Sequence, residues 1–438
     1  MTPENQVEPG STSHPFDAWD GAIRAAALLA FAYGWVYFPI VSQHRGDFYF
    51  MLTNRETSVS HWNGQGFGYG PVFVLYDLML RPLSDLLAMR LMFVMNHLLL
   101  AVTFLLLIQT YLPAPRTDRE VSVALFAWVN FYPLVQTLRQ NNVEVTELFF
   151  LSLAGLFLSR ASEGWAGAAL GMASATKFLP LLLLPYLLWR RRWRMVAMAV
   201  VAFCVTATVA AVVKGFLPWN GFETLGKAAS TGWANQHLNN QGLIAVSLRA
   251  FSTFDLTKDS QTAAFPRVSD AETAIAVGLG LVAVAVLTVV AILWRRVGLV
   301  ARRSTHHPEL TEQLLVLTVI ILGLPFAHTH YFCLVVGAYF ALIRSTLRHE
   351  LPATTVRLAV ISFCVLGLLA PMRLLDPLVL RLFPLSLVDL WKLWSLPTMG
   401  AISLAWALVS LHRVQLEVSA GADEGRQAST PSVTGRLA

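Results

Sequence analysis

The sequence predicts an all-α polytopic membrane protein: a bundle of about 10–12 transmembrane segments including one half-helix pair, with extracytoplasmic loops that carry interfacial helices. Three observations predict it. Apolar residues make up 55% of the 438 and charged residues only 13%, against roughly 25% charged in a soluble domain. The mean hydropathy is +0.57. Apolar runs recur from about residue 22 to about residue 411 with no long polar block between them, which favours one membrane domain. The expected organisation is a cytoplasmic N-terminal tail (1–21), a transmembrane domain (22–413) and a disordered cytoplasmic tail rich in Ser, Thr, Gly and Ala (414–438).

The first apolar segment runs from about Ala22 to Val41, roughly the 20 residues that cross a 30 Å hydrocarbon layer. The preceding residues carry Glu4, Glu8, Asp17 and Asp20 in place of the basic start of a signal peptide, so this segment is expected to stay as an anchor. A polar cluster follows, Gln43-His-Arg-Gly-Asp-Phe-Tyr-Phe50, centred on Asp47. Residues 71 to 87, interrupted by Asp77, Arg81, Pro82 and Asp85, read as interfacial helices. Further spans are expected at about 90–111, 121–138 and 144–159. From Gly164 to Trp189 an apolar run is broken at Thr176-Lys177-Phe178-Leu179-Pro180. Lysine is costly at bilayer depth and proline removes a backbone donor, so two half-length helices should meet at Lys177. A span at about 195–213 precedes a long polar connection to about Asp270, with a short amphipathic helix near Gly242 to Phe251. The last spans are expected at about 272–294, 311–326, 331–346, 354–371 and 389–411.

Arg190, Arg191, Arg192 and Arg194, then Arg295, Arg296, Arg302 and Arg303, then Arg344, Arg348 and Arg357 form the basic loop clusters that face the cytoplasm under the positive-inside rule. With those inside, the Asp47 loop, the turn Arg139-Gln-Asn-Asn-Val-Glu144, Lys177, the 214–270 connection and His328-Thr-His330 all fall on the extracytoplasmic side. Five polar features thus share one face.

The formal charge of +6 comes from arginines beside apolar runs, not from a basic patch interleaved with aromatics, so no nucleic-acid partner is expected. Cys204, Cys333 and Cys364 lie scattered in apolar segments and make neither a disulfide framework nor a metal site. The glycine-rich stretch Asn63 to Pro71 lacks the Lys-Ser/Thr of a phosphate-binding loop. No HExxH, GxSxG or CxxC motif occurs, and the sequence points to no metal and no cofactor.

An acid near a bilayer boundary usually faces protein or water and often has a task, so Asp47 is the leading candidate for the chemical centre. Gln140 and Asn141 offer amide donors and acceptors suited to sugar hydroxyls. Lys177 is a point charge suited to a phosphate. His328 and His330 can donate protons or hydrogen bonds to one. Each has a plain structural alternative: an interfacial loop acid, a wet hairpin tip, a snorkelling lysine, an interfacial histidine pair.

The order of these features resembles the GT-C glycosyltransferases, and within them glycosyltransferase family 87, whose members are mannosyltransferases that use polyprenyl-phosphate mannose. The residues that carry the resemblance are Asp47 after the first span, Tyr69-Gly-Pro71, Gln140-Asn-Asn142, Lys177 to Pro180, Asn239-Asn-Gln241 and His330-Tyr331. The late element departs from an expected Trp and adjacent His pair, and Asn239-Asn-Gln-Gly stands where Asn-Gln-Ser is usual. The resemblance implies a GT-C-like catalytic domain in a bacterial plasma membrane with an extracytoplasmic active site. It also implies a polyprenyl-phosphate sugar as donor and a lipid or glycan acceptor, with membrane lipids around the protein. Transfer would be an inverting single displacement with Asp47 as general base. His330 would be the second catalytic residue, and Tyr69, Arg139, Gln140, Asn141, Lys177, Asn239, Asn240 and His328 would bind substrate. A transporter or lipid flippase is the alternative, because broken helices also mark transport sites.

Overall fold

The computed structural model describes residues 15–37, 70–80, 82–214, 238–251, 271–294, 307–324, 327–367, 375–382 and 386–429. Among the described residues the architecture is helical, and an isolated antiparallel bridge pairs Asn240 with His328. In order the helices are α1 (Pro15–Ala30, continued by a wider turn Phe31–Tyr37), α2 (Val72–Leu80), α3 (Asp85–Tyr111), α4 (Asp118–Asn130), α5 (Tyr132–Arg139) and α6 (Glu144–Ser159). Next come α7 (Glu163–Thr176), the 3-10 turn Leu179–Leu183 leading into α8 (Leu184–Trp189), α9 (Trp193–Lys214), α10 (Leu243–Phe251), α11 (Ala271–Trp294) and α12 (His307–Gly323). The 3-10 turn Thr329–Val335 then opens α13 (Val336–Leu347), followed by α14 (Ala353–Leu366), α15 (Asp376–Leu382), α16 (Leu387–Leu393) and α17 (Leu396–Ser429).

Among the described residues, four helical stretches are long and apolar enough to cross a bilayer alone: Asp85–Tyr111, Trp193–Val213, Glu272–Trp294 and Thr329–Leu347. Two bent pairs raise the number to six: α4 with α5, bent by 47°, and α16 with α17, bent by 62°. This agrees with the expected all-α polytopic membrane fold, and within it several apolar runs are bent. The 121–138 run breaks at Phe131, where Pro133 enters the first turn of α5 without an amide to continue the ladder. The 389–411 run breaks at Trp394–Ser395, with Ser395 at φ 54 and Pro397 in the next turn. The predicted half-helix pair is present: α7 ends at Thr176, Lys177 is extended (φ −141, ψ 147), and the chain resumes in the 3-10 turn. The last helix runs to Ser429, past the predicted start of the disordered tail, through a stretch that keeps Ala, Glu, Arg and Gln among its glycines.

Packing explains the arrangement. α7 lies against both α6 and α9, and its approach to α9 is close: a β-carbon on Gly167 would sit 2.2 Å from Met195 O, and one on Gly171 2.3 Å from Ala199 O. Two glycines four apart give α7 a flat stripe on which a neighbouring backbone can rest, the usual basis of helix association in lipid. Trp35 anchors α1 to α4 by donating Nε1 to Val129 O at 2.9 Å, and its ring packs on Trp128 at 5.9 Å. Trp128 in turn meets Phe104 of α3 and Phe340 of α13. α2 packs into the protein through Val72, Phe73, Val74, Tyr76 and Leu80, with Tyr76 Oη 2.5 Å from Thr146 Oγ1.

The helix ends sort into two poles. At one, Arg192 bonds Glu309 of α12 and Glu163 of α7, Arg190 and Tyr186 meet Glu312, and Arg348 reaches Glu120 of α4. Three of the arginines predicted to face the cytoplasm share this pole. The hydrogen bonds it donates to the Glu309 carboxylate hold the Arg192 guanidinium above its ordinary range. The other pole gathers the α5–α6 turn, the break at Lys177, residues 238–241 and the turn at Thr329.

Candidate active site

Glu144 is the hub of that second pole. It opens α6, where the helix N-terminus favours a carboxylate, and it is fully buried. Its Oε1 accepts a hydrogen bond from Lys177 Nζ and lies 3.0 Å from His330 Nε2. Lys177 and His330 are themselves only 6% and 3% exposed. The ammonium also stands 4.1 Å over the Tyr331 ring, a cation–π contact. His328 lies beside this pair, its ring centre 5.3 Å from that of His330 and 5.8 Å from that of Tyr331. Three predicted site residues from two distant segments therefore meet within a few ångströms.

The Asn239–Gln241 segment is laced to the same turn. Thr329 N donates to Asn239 O at 3.1 Å, and Gln241 N donates to Ala327 O at 2.7 Å. Asn240 Oδ1 accepts from Gly242 N at 3.2 Å and from Ala327 N at 2.9 Å, so this amide oxygen holds the loops together. Asn239 Oδ1 accepts from Lys392 Nζ, and Arg249 Nη1 donates to Asn240 O at 2.6 Å. Burial pushes the Arg249 guanidinium down to about 10, which leaves it charged at neutral pH.

In the α5–α6 turn, Asn141 adopts φ 50, a left-handed conformation that asparagine tolerates. Its side chain binds the start of α3: Oδ1 accepts from Asn96 Nδ2 at 2.9 Å and Nδ2 donates to Met89 O at 3.1 Å. Asn141 and Asn240 thus frame the site through protein contacts. Arg139 and Gln140 are half-buried at the edge of the same turn, and Gln140 Oε1 is a buried acceptor with no donor among the described residues. Asp47 and Tyr69 lie outside the described residues. The neighbour of Tyr69 is placed: Gly70 N donates to Thr176 O at 2.8 Å, and a β-carbon at Gly70 would lie 2.2 Å from Ala175 O. Only glycine lets that strand of chain touch the helix break.

Sequence reasoning left out Glu144, Glu147, Lys392 and Arg249 as site residues. Glu147 is fully buried one turn into α6, and neither of its carboxyl oxygens has a hydrogen-bond partner among the described residues. A signal was present, since two acids three residues apart at the mouth of an apolar helix are expensive unless they face a polar interior.

Residues 67–325 match the family described as Glycosyltransferase family 87. That is more than half of the chain. The chain belongs to glycosyltransferase family 87. It is therefore a membrane glycosyltransferase of the GT-C superfamily that takes a sugar donor and an acceptor, and the transporter alternative falls away. The matched stretch of this family 87 enzyme contains Gln140, Glu144, Lys177 and Asn239, and ends just before the His328–His330 turn. No curated protein matches the chain.

Proposed function

We propose that this enzyme moves a hexose, mannose in the first instance, from a polyprenyl-phosphate sugar to a lipid or glycan acceptor at the extracytoplasmic face of a bacterial plasma membrane. The observation that supports this reading best is the convergence of Lys177 and His330 on Glu144 in a family 87 chain. An ammonium and an imidazole side by side suit a phosphate, whose charge grows as it departs.

In this mechanism Asp47 takes the proton of the acceptor hydroxyl as that oxygen attacks the anomeric carbon. The bond from that carbon to the phosphate oxygen breaks on the opposite side, its electron pair stays with the polyprenyl phosphate, and the configuration inverts. Lys177, His330 and His328 stabilise the departing phosphate. Arg139, Gln140, Asn239 and Tyr69 contribute contacts to the sugar and phosphate, while Asn141 and Asn240 hold the loops that present them. The basic pole built on Arg190, Arg192 and Arg348 fits the cytoplasmic side, which turns the Glu144 pole outward.

Purified protein incubated with labelled polyprenyl-phosphate mannose, glucose and arabinose, followed by mass spectrometry of the lipid products, tests the reading. Transfer from the mannose donor above the other two supports it. Transfer only from a nucleotide sugar, or none from any polyprenyl-phosphate donor, overturns it.

A further inference from the structure

Neither the general base nor the phosphate contacts proposed above include Glu144, yet it touches both side chains assigned to the phosphate. Lys177 sits at a helix break in extended conformation, and His330 sits in a 3-10 turn. Neither is aimed by regular helix geometry. Both meet one atom, Glu144 Oε1, while Glu144 Oε2 has no hydrogen-bond partner among the described residues. The carboxylate is itself fixed, since it belongs to the first turn of α6 and is fully buried.

We propose that Glu144 is a positioning residue for the phosphate of the lipid-linked donor, an inference that rests on the function proposed above. It holds one donor of the Lys177 ammonium and one nitrogen of the His330 ring, and so sets where the rest of each group points. It also places a negative charge beside the buried ammonium, which offsets part of the cost of holding that group away from water. Donor phosphate then meets a preorganised pair, with no reorganisation left for the moment of transfer. Glu144 need not contact the sugar or the acceptor, so its removal acts on one substrate only.

The test compares wild type, Glu144→Gln and Glu144→Asp as purified full-length proteins. Donor KM, acceptor KM, kcat, thermal midpoint and inhibition by polyprenyl phosphate without sugar are measured for each. Glu144→Gln is expected to raise donor KM and the inhibition constant of polyprenyl phosphate together, by about tenfold or more, with acceptor KM unchanged. Glu144→Asp keeps the charge and recovers part of the loss, which serves if the glutamine variant does not fold. Donor KM and inhibition constant unchanged or lowered in the variants overturn the proposal, as do equal rises in donor and acceptor KM that track a fall in thermal midpoint. Active wild type with indifferent Glu144 variants refutes this inference alone. Wild type inactive with every polyprenyl-phosphate donor refutes the functional reading and this inference with it.

Discussion

Lys177 and His330 meet on a single atom, Glu144 Oε1, although one follows a helix break and the other opens a 3-10 turn late in the chain. Both side chains and the carboxylate are almost fully buried, so the contact is worth most as an intact unit. Breaking a buried ion pair from one side leaves the other charge uncompensated.

Lys177→Met tests that unit. The variant should lose about 3–5 kcal/mol of stability, read as a lower midpoint in detergent unfolding, and transfer should fall at least about 100-fold per folded molecule. A variant as stable and active as wild type would show that Lys177 merely snorkels at a helix end.

Asn240→Ala separates framework from chemistry. Its Oδ1 serves Gly242 N and Ala327 N, and each stranded buried amide costs roughly 1–3 kcal/mol. The alanine variant should unfold at lower temperature, whereas Asn240→Asp, which keeps an acceptor, should lose less. Its folded fraction should keep a near-normal donor KM.

How far these residues were legible depends on what each one needed to be seen. The break at Lys177 was visible because lysine and Pro180 both oppose a continuous apolar helix. His328 and His330 stood out as the polar interruption of an apolar run. Glu144 and Glu147 gave a weaker signal, because acids in a first helical turn are ordinary and burial is what separates this pair from such acids. Lys392 and Arg249 were hidden for a different reason: their contacts to Asn239 and Asn240 join segments about 150 and 10 residues apart, and no local pattern reports such a pairing. The bend at Phe131 follows from Pro133 at the start of α5, a backbone constraint that the apolar length of the 121–138 run does not report.

Gly171→Leu probes the α7–α9 contact that backs the half-helix. A β-carbon there would lie 2.3 Å from Ala199 O and 2.8 Å from Ala202 Cβ. Overpacking typically costs about 1–3 kcal/mol, and a backbone obstacle cannot swing aside, so the upper part of that range or beyond is expected. Size-exclusion chromatography in detergent should show loss of the monodisperse peak.

Arg192→Ala examines the opposite pole. Arg192 bonds Glu309 and Glu163, and its side chain is 27% exposed while that of Glu309 is 2% exposed. Solvent reaches part of the contact, so a loss of about 1–2 kcal/mol is expected, well below that of a fully buried pair. The folded-state pKa of Arg192 is raised, so this stabilisation is complete below the unfolded guanidinium pKa and is lost only as pH rises past it. The deficit of the variant should therefore stay constant from pH 6 to pH 9 in thermal unfolding, with sugar transfer retained in the folded fraction.

Asp47 carries the central claim, because the proposed role of the Glu144 pole, to stabilise a leaving phosphate, still requires a base for the acceptor. The most direct measurement is hexose transfer from labelled polyprenyl-phosphate mannose by purified Asp47→Asn protein beside wild type, with folding checked by thermal unfolding. The account predicts a normal unfolding profile and transfer reduced by about 100- to 10,000-fold, the usual weight of a general base. A folded Asp47→Asn protein that transfers sugar at the wild-type rate would contradict it.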